Sequence, residues 1–64
     1  MTVLPGDLVH LSEPGKWYDN LFLLVEEVRA WGVIGIVRLA QGDAPLRASW
    51  NCINGVYRKV EPIN

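Results

Sequence analysis

LFLLVEEVRAWGVIGIVRL, residues Leu21 to Leu39, is the stretch on which the fold turns. Val33, Ile34, Ile36 and Val37 are β-branched, stiff at χ1 and better suited to a pleated surface than to a helix. The Leu, Glu, Val, Arg and Ala residues of the stretch would tolerate a helix, since an apolar run does not by itself declare its period. Two glycines within four residues, Gly32 and Gly35, would each cost that helix about 1 kcal/mol relative to alanine. The strand reading is therefore preferred. Leu21–Val28 is strand two, Arg29–Gly32 a hairpin turn and Val33–Leu39 strand three, with Gly35 placed where a tight bend or close approach needs a missing Cβ.

Outward from this hairpin the chain is punctuated at strand spacing. Pro5-Gly6-Asp7 is a turn signal, and Leu8–Leu11 after it is strand one. Ser12–Asn20, SEPGKWYDN, carries Pro14-Gly15 and Asp19-Asn20 and reads as a long first loop. Gln41–Pro45, QGDAP, is a second turn cluster, followed by strand four over Leu46–Trp50, with Leu46, Ala48 and Trp50 inward and Arg47 and Ser49 outward. Asn51–Gly55 is short enough for a single tight turn of 3₁₀ type, and Val56–Val60 alternates as the last strand before Pro62 stops it. The expectation is an all-β chain and a single domain over residues 1–64.

Sixty-four residues bury only about 60% of the surface that their unfolded chain exposes, so such domains commonly lean on disulfides, metals or oligomerisation. Cys52 is the only cysteine and His10 the only histidine, which excludes an internal disulfide and a soft-ligand zinc cluster. A homo-oligomer or an unusually good core remains. MTVLPGDLV has no basic segment leading into an apolar one, and no run approaches the ~18 apolar residues of a membrane helix, so a cytoplasmic protein without a membrane partner is expected. Net charge is −1, which opposes a whole-domain nucleic-acid binder. Asp7, Glu13, Asp19, Glu26 and Glu27 against Lys16 give residues 1–28 a balance of −4. Arg29, Arg38, Arg47, Arg58 and Lys59 against Asp43 and Glu61 give residues 29–64 +3, either two charged faces or ordinary solvated charge.

Five short strands, a long first loop, a tight second hairpin and one helical turn before the last strand resemble the Src-homology-3-like small barrel, over nearly the whole chain. Gly6-Asp7-Leu8-Val9 looks like the opening of many bacterial barrels of this type, where a turn delivers an apolar residue to the core. Leu24-Val25-Glu26-Glu27-Val28-Arg29-Ala30-Trp31-Gly32, with Tyr57-Arg58-Lys59-Val60-Glu61-Pro62, is similar to short proteins encoded by phages and prophages. The resemblance implies a five-stranded barrel with one 3₁₀ turn before the last strand, in a small accessory protein. Peptide-binding barrels of this kind hold proline-rich segments between aromatic rings and an acidic first loop, since a preformed polyproline helix loses little entropy on docking. Of that family's first-loop signature, Ala-Leu-Tyr-Asp-Tyr, only Tyr18-Asp19 is present here.

Candidate sites follow. Trp17, Tyr18 and Trp31 would supply rings, and Glu13 and Asp19 an acidic wall, for a protein partner. Adjacent aromatics in one loop cannot both turn inward, so one of Trp17 and Tyr18 is expected at the surface; alternatively the rings only cap the barrel ends. Arg29, Arg38, Arg47, Arg58 and Lys59 would form a stripe for nucleic acid, the alternative function, or would be plain strand surface. Trp50 is expected in the core and Cys52 as a small buried hydrophobe. A nucleophile and base would have to come from Cys52 and His10, which nothing local brings together. The sequence thus points to a non-enzymatic protein-interaction module without cofactor or metal.

Overall fold

The computed structural model describes residues 2–58, and the continuation of the last strand to Val60, the stop at Pro62 and Lys59 lie outside them. The elements are β1 (Leu8–Leu11), β2 (Phe22–Arg29), β3 (Gly32–Leu39), β4 (Gly42–Ser49), a 3₁₀ turn (Trp50–Cys52) and β5 (Ile53–Tyr57). The chain is all-β, and no helix among the described residues is long and apolar enough to cross a membrane. Every ladder is antiparallel, in the order β4-β3-β2-β1-β5. Among the described residues no ladder joins β4 to β5, so the sheet stays open and the closed barrel expected from the sequence is not formed. The chain leaving β4 is taken up by β1 instead: the Ser12 amide donates to the Cys52 carbonyl at 2.7 Å, and β5 runs along the far edge of β1.

Alternation along the strands divides the side chains between two faces. Val9 and Leu11 of β1, Leu23 and Val25 of β2, Val33 and Val37 of β3 and Ala48 of β4 are buried on the inner face, joined by Val3. Among the described residues no helix covers them, and the sheet shields its inner face by curling over itself. Two features permit this. A bulge between Val25 and Glu27 leaves Glu26 without a partner on β3 and bends β2. Opposite it, Gly35 packs so close to β2 that a Cβ would overlap the carbonyl oxygen of Leu24, which accounts for glycine inside an otherwise β-branched strand.

Three boundaries differ from the sequence reading. The turn before β4 is only Ala40–Gln41, and Gly42–Pro45 already pair with β3. Pro45 does not interrupt the ladder because its partner Ile36 directs its backbone groups toward β2, leaving the proline nitrogen on the open edge. Strand five starts at Ile53 instead of Val56. Trp50, expected in the core, lies past the end of β4 in the 3₁₀ turn and is exposed, because the turn breaks the alternation that would have carried it inward.

Candidate functional site: an aromatic rim on the first loop and the 3₁₀ turn

The first loop is shaped by its own hydrogen bonds. The Asp19 carboxylate accepts the Glu13 amide at 2.8 Å, the Asp19 amide donates to the Lys16 carbonyl, and the Asn20 and Leu21 amides donate to Leu11 and Tyr18. Asn20 takes a φ of 65°, the left-handed conformation that asparagine tolerates better than most residues. Tyr18 turns inward and packs on the core, while Trp17 stays at the surface with its ring edge-on to Tyr18 at 5.5 Å.

Glu13 is the hub of this loop. One carboxylate oxygen accepts both the Tyr18 hydroxyl and the Cys52 thiol, the latter at 2.8 Å. These two donors hold Glu13 below its usual carboxylate range, the thiol contributing most. The same hydrogen bond, helped by desolvation, pushes the Tyr18 phenol up to about 12. Cys52 is therefore not the inert buried hydrophobe expected: it is half-buried in the 3₁₀ turn and ties that turn to the first loop.

At its other end the turn grips the β2–β3 hairpin. The Trp50 indole donates to the Ala30 carbonyl at 2.7 Å, and the Trp50 amide donates to the Trp31 carbonyl at 3.2 Å. Trp31, Trp50, Cys52, Glu13, Tyr18 and Trp17 are thus joined in one continuous chain of contacts. Trp17, Trp31 and Trp50 remain 56%, 46% and 37% exposed along it. Of the sequence candidates, the structure links Trp17, Tyr18, Asp19 and Trp31 through this 3₁₀ turn. It adds Trp50, and it shows Glu13, expected as part of an acidic wall, accepting hydrogen bonds from Tyr18 and Cys52 within the chain.

The arginines named for a stripe have these neighbours, with Lys59 outside the described residues. Arg58 grips Asp7 through two bonds, Nε to Oδ1 at 3.0 Å and Nη2 to Oδ2 at 2.9 Å, and the Leu4 amide adds a third donor to that carboxylate. Asp7 is only 3% exposed, and Arg58 followed by the Leu4 amide lowers its pKa. Arg29 pairs with Glu27 at 3.2 Å, Arg38 lies cross-strand from Asp43, and Arg47 faces Ile34. The Asp7–Arg58 pair links the acidic first half of the chain to the basic second half. His10 bonds Asn20 at 2.7 Å and approaches Asn54 at 3.5 Å, so it and Cys52 have different partners. No group of three potential metal ligands occurs among the described residues.

On the outer face lies a groove of about 900 Å³, lined by Leu8, Phe22, Leu24, Ile36, Tyr57 and the two arginines Arg38 and Arg58, among others. Sequence reasoning missed it, although apolar residues at both parities of β2 and β3 were its signal. Comparison with protein-family models, with curated proteins and with solved structures finds no match for this chain.

Proposed function

We propose that the chain is a non-enzymatic protein-interaction module, of Src-homology-3-like kind, that docks a segment of a partner protein against the aromatic rim. The observation carrying this reading is the placement of Trp17, Trp31 and Trp50 as exposed rings on a continuously hydrogen-bonded loop and turn. Exposed indoles are costly to leave in water and are the side chains most enriched at binding hot spots. The internal bonds of the first loop fix its shape before a partner arrives, which reduces the ordering cost of association. An accessory role in the cytoplasm, which the resemblance to short phage and prophage proteins implies, is part of the same proposal. Arginines already committed to carboxylates leave the nucleic-acid alternative with less support.

The test is capture of partners from a host lysate on the immobilised chain, with and without nuclease, alongside Trp17→Ala and Trp31→Ala. A nuclease-resistant protein lost from both variants, with affinity reduced about 30-fold as for a ~2 kcal/mol hot spot, supports the reading. Retention by both variants, or a nuclease-sensitive catch, overturns it.

A further inference from the structure

Asn54-Gly55 is the only asparagine–glycine pair in the chain, and the fold sets it apart. β5 lies at the end of the sheet, and its ladder with β1 slips at this point: Leu11 faces Ile53 and His10 faces Gly55, which makes Asn54 the extra residue of a bulge, exposed on an edge strand. A bulge residue is released from the regular extended geometry that keeps an asparagine side chain away from the next backbone nitrogen. Gly55 has no Cβ to shield that nitrogen. His10 stands against the pair. Its Nε2 lies 2.7 Å from Oδ1 of Asn20, an oxygen that can only accept, so Nε2 carries the ring hydrogen and Nδ1 is the bare, basic nitrogen. That nitrogen is 3.5 Å from Nδ2 of Asn54, and the Phe22 ring packs on the imidazole at 5.1 Å.

We propose that Asn54 is a site of self-modification, its amide lost through a succinimide closed by the Gly55 nitrogen, with His10 carrying the proton. As the Gly55 nitrogen attacks the side-chain carbonyl carbon of Asn54, its hydrogen passes to Nδ1 of His10 and a carbon–nitrogen bond closes a five-membered ring. The same proton is then delivered to the Asn54 amide nitrogen, whose bond to carbon breaks, and ammonia leaves. Water opens the ring at one or the other carbonyl, leaving aspartate or isoaspartate at this position; the net change is amide plus water to acid plus ammonia. Isoaspartate routes the chain through its side chain and lengthens the backbone by one methylene. Gly55, Val56 and Tyr57 then cannot all keep their places opposite His10, Val9 and Leu8, so the reaction loosens β5 from the sheet. This site does not rest on the aromatic rim.

The test is prolonged incubation of the folded chain at neutral pH, followed by peptide-mapping mass spectrometry and by isoaspartate-specific methylation. We expect ammonia loss at Asn54 to precede that at Asn20 and Asn51, to give both aspartate and isoaspartate, and to slow about tenfold or more in Gly55→Ala and in His10→Gln. Gly55→Ala fits the fold, since the nearest neighbour of the added Cβ is the Tyr57 hydroxyl at 3.4 Å. Added imidazole should restore the rate of His10→Gln and leave that of the wild type unchanged. Earlier reaction at Asn20 or Asn51, or an undiminished rate in Gly55→Ala, overturns the site. An undiminished rate in His10→Gln, or acceleration of the wild type by imidazole, overturns the proton transfer, and the wild-type result decides even if the histidine variant fails to fold. The isoaspartate form, separated by ion exchange, should melt below the unmodified chain; equal melting overturns the consequence for β5.

Discussion

Glu13 shows how one carboxylate organises a surface loop. Accepting from Tyr18 and Cys52 at once, it joins residues that no local pattern connects, since Glu13 and Cys52 are 39 positions apart. Glu13→Gln replaces the anionic acceptor by a neutral one. The Tyr18 titration, followed by phenolate absorbance, is then expected to fall from about 12 toward the ordinary phenol value of 10.0. An unchanged midpoint would mean that burial, not the carboxylate, sets it. Single residues were also where the sequence misled most. Trp50 continued an inward alternation on paper, and only the 3₁₀ turn after Ser49 redirects it to the surface. Asp7 was legible as part of a turn but not as the near-buried partner of Arg58, a contact spanning 51 residues.

Strands two and three were readable because β-branched residues and a short turn act locally, and their observed bounds lie within one residue of those expected. Strand four was under-read. In the sequence Pro45 reads as punctuation, whereas its acceptability in a strand depends on which edge its nitrogen faces, a fact of register and not of sequence. The aromatic candidates of the first loop and hairpin turn were identified, but not the 3₁₀ turn that connects them, because its hold on Ala30 and Glu13 is tertiary. At this scale Pro45 acts as a guard on an open edge. Pro45→Val restores an outward amide on a β-favouring residue, and we expect faster aggregation on agitation, read by light scattering and amyloid-dye binding, with the native ladder retained. Aggregation no faster than wild type would show that the edge is protected by other means.

For the whole molecule, openness and small size act together. At roughly 0.05–0.15 kcal/mol per residue, 64 residues hold about 3–10 kcal/mol, so loss of a few specific contacts is decisive. Asp7 and Glu13 are both held below their ordinary carboxylate values of 3.8 and 4.5 in the folded chain. Their contribution is complete above those values and is lost as pH falls through the lower folded ones, so the melting temperature should drop on acidification below about pH 4. Asp7→Asn should flatten that drop while lowering stability at neutral pH, both read by thermal melts; an acid profile identical to wild type would remove Asp7 from the account. The placement of all three tryptophans at the surface has a further, optical consequence. Each indole keeps part of its ring in contact with water in the folded chain, so anything that settles over the rim is expected to shift the emission toward the blue. Intrinsic fluorescence of this protein is therefore a direct gauge of whether the rim is occupied.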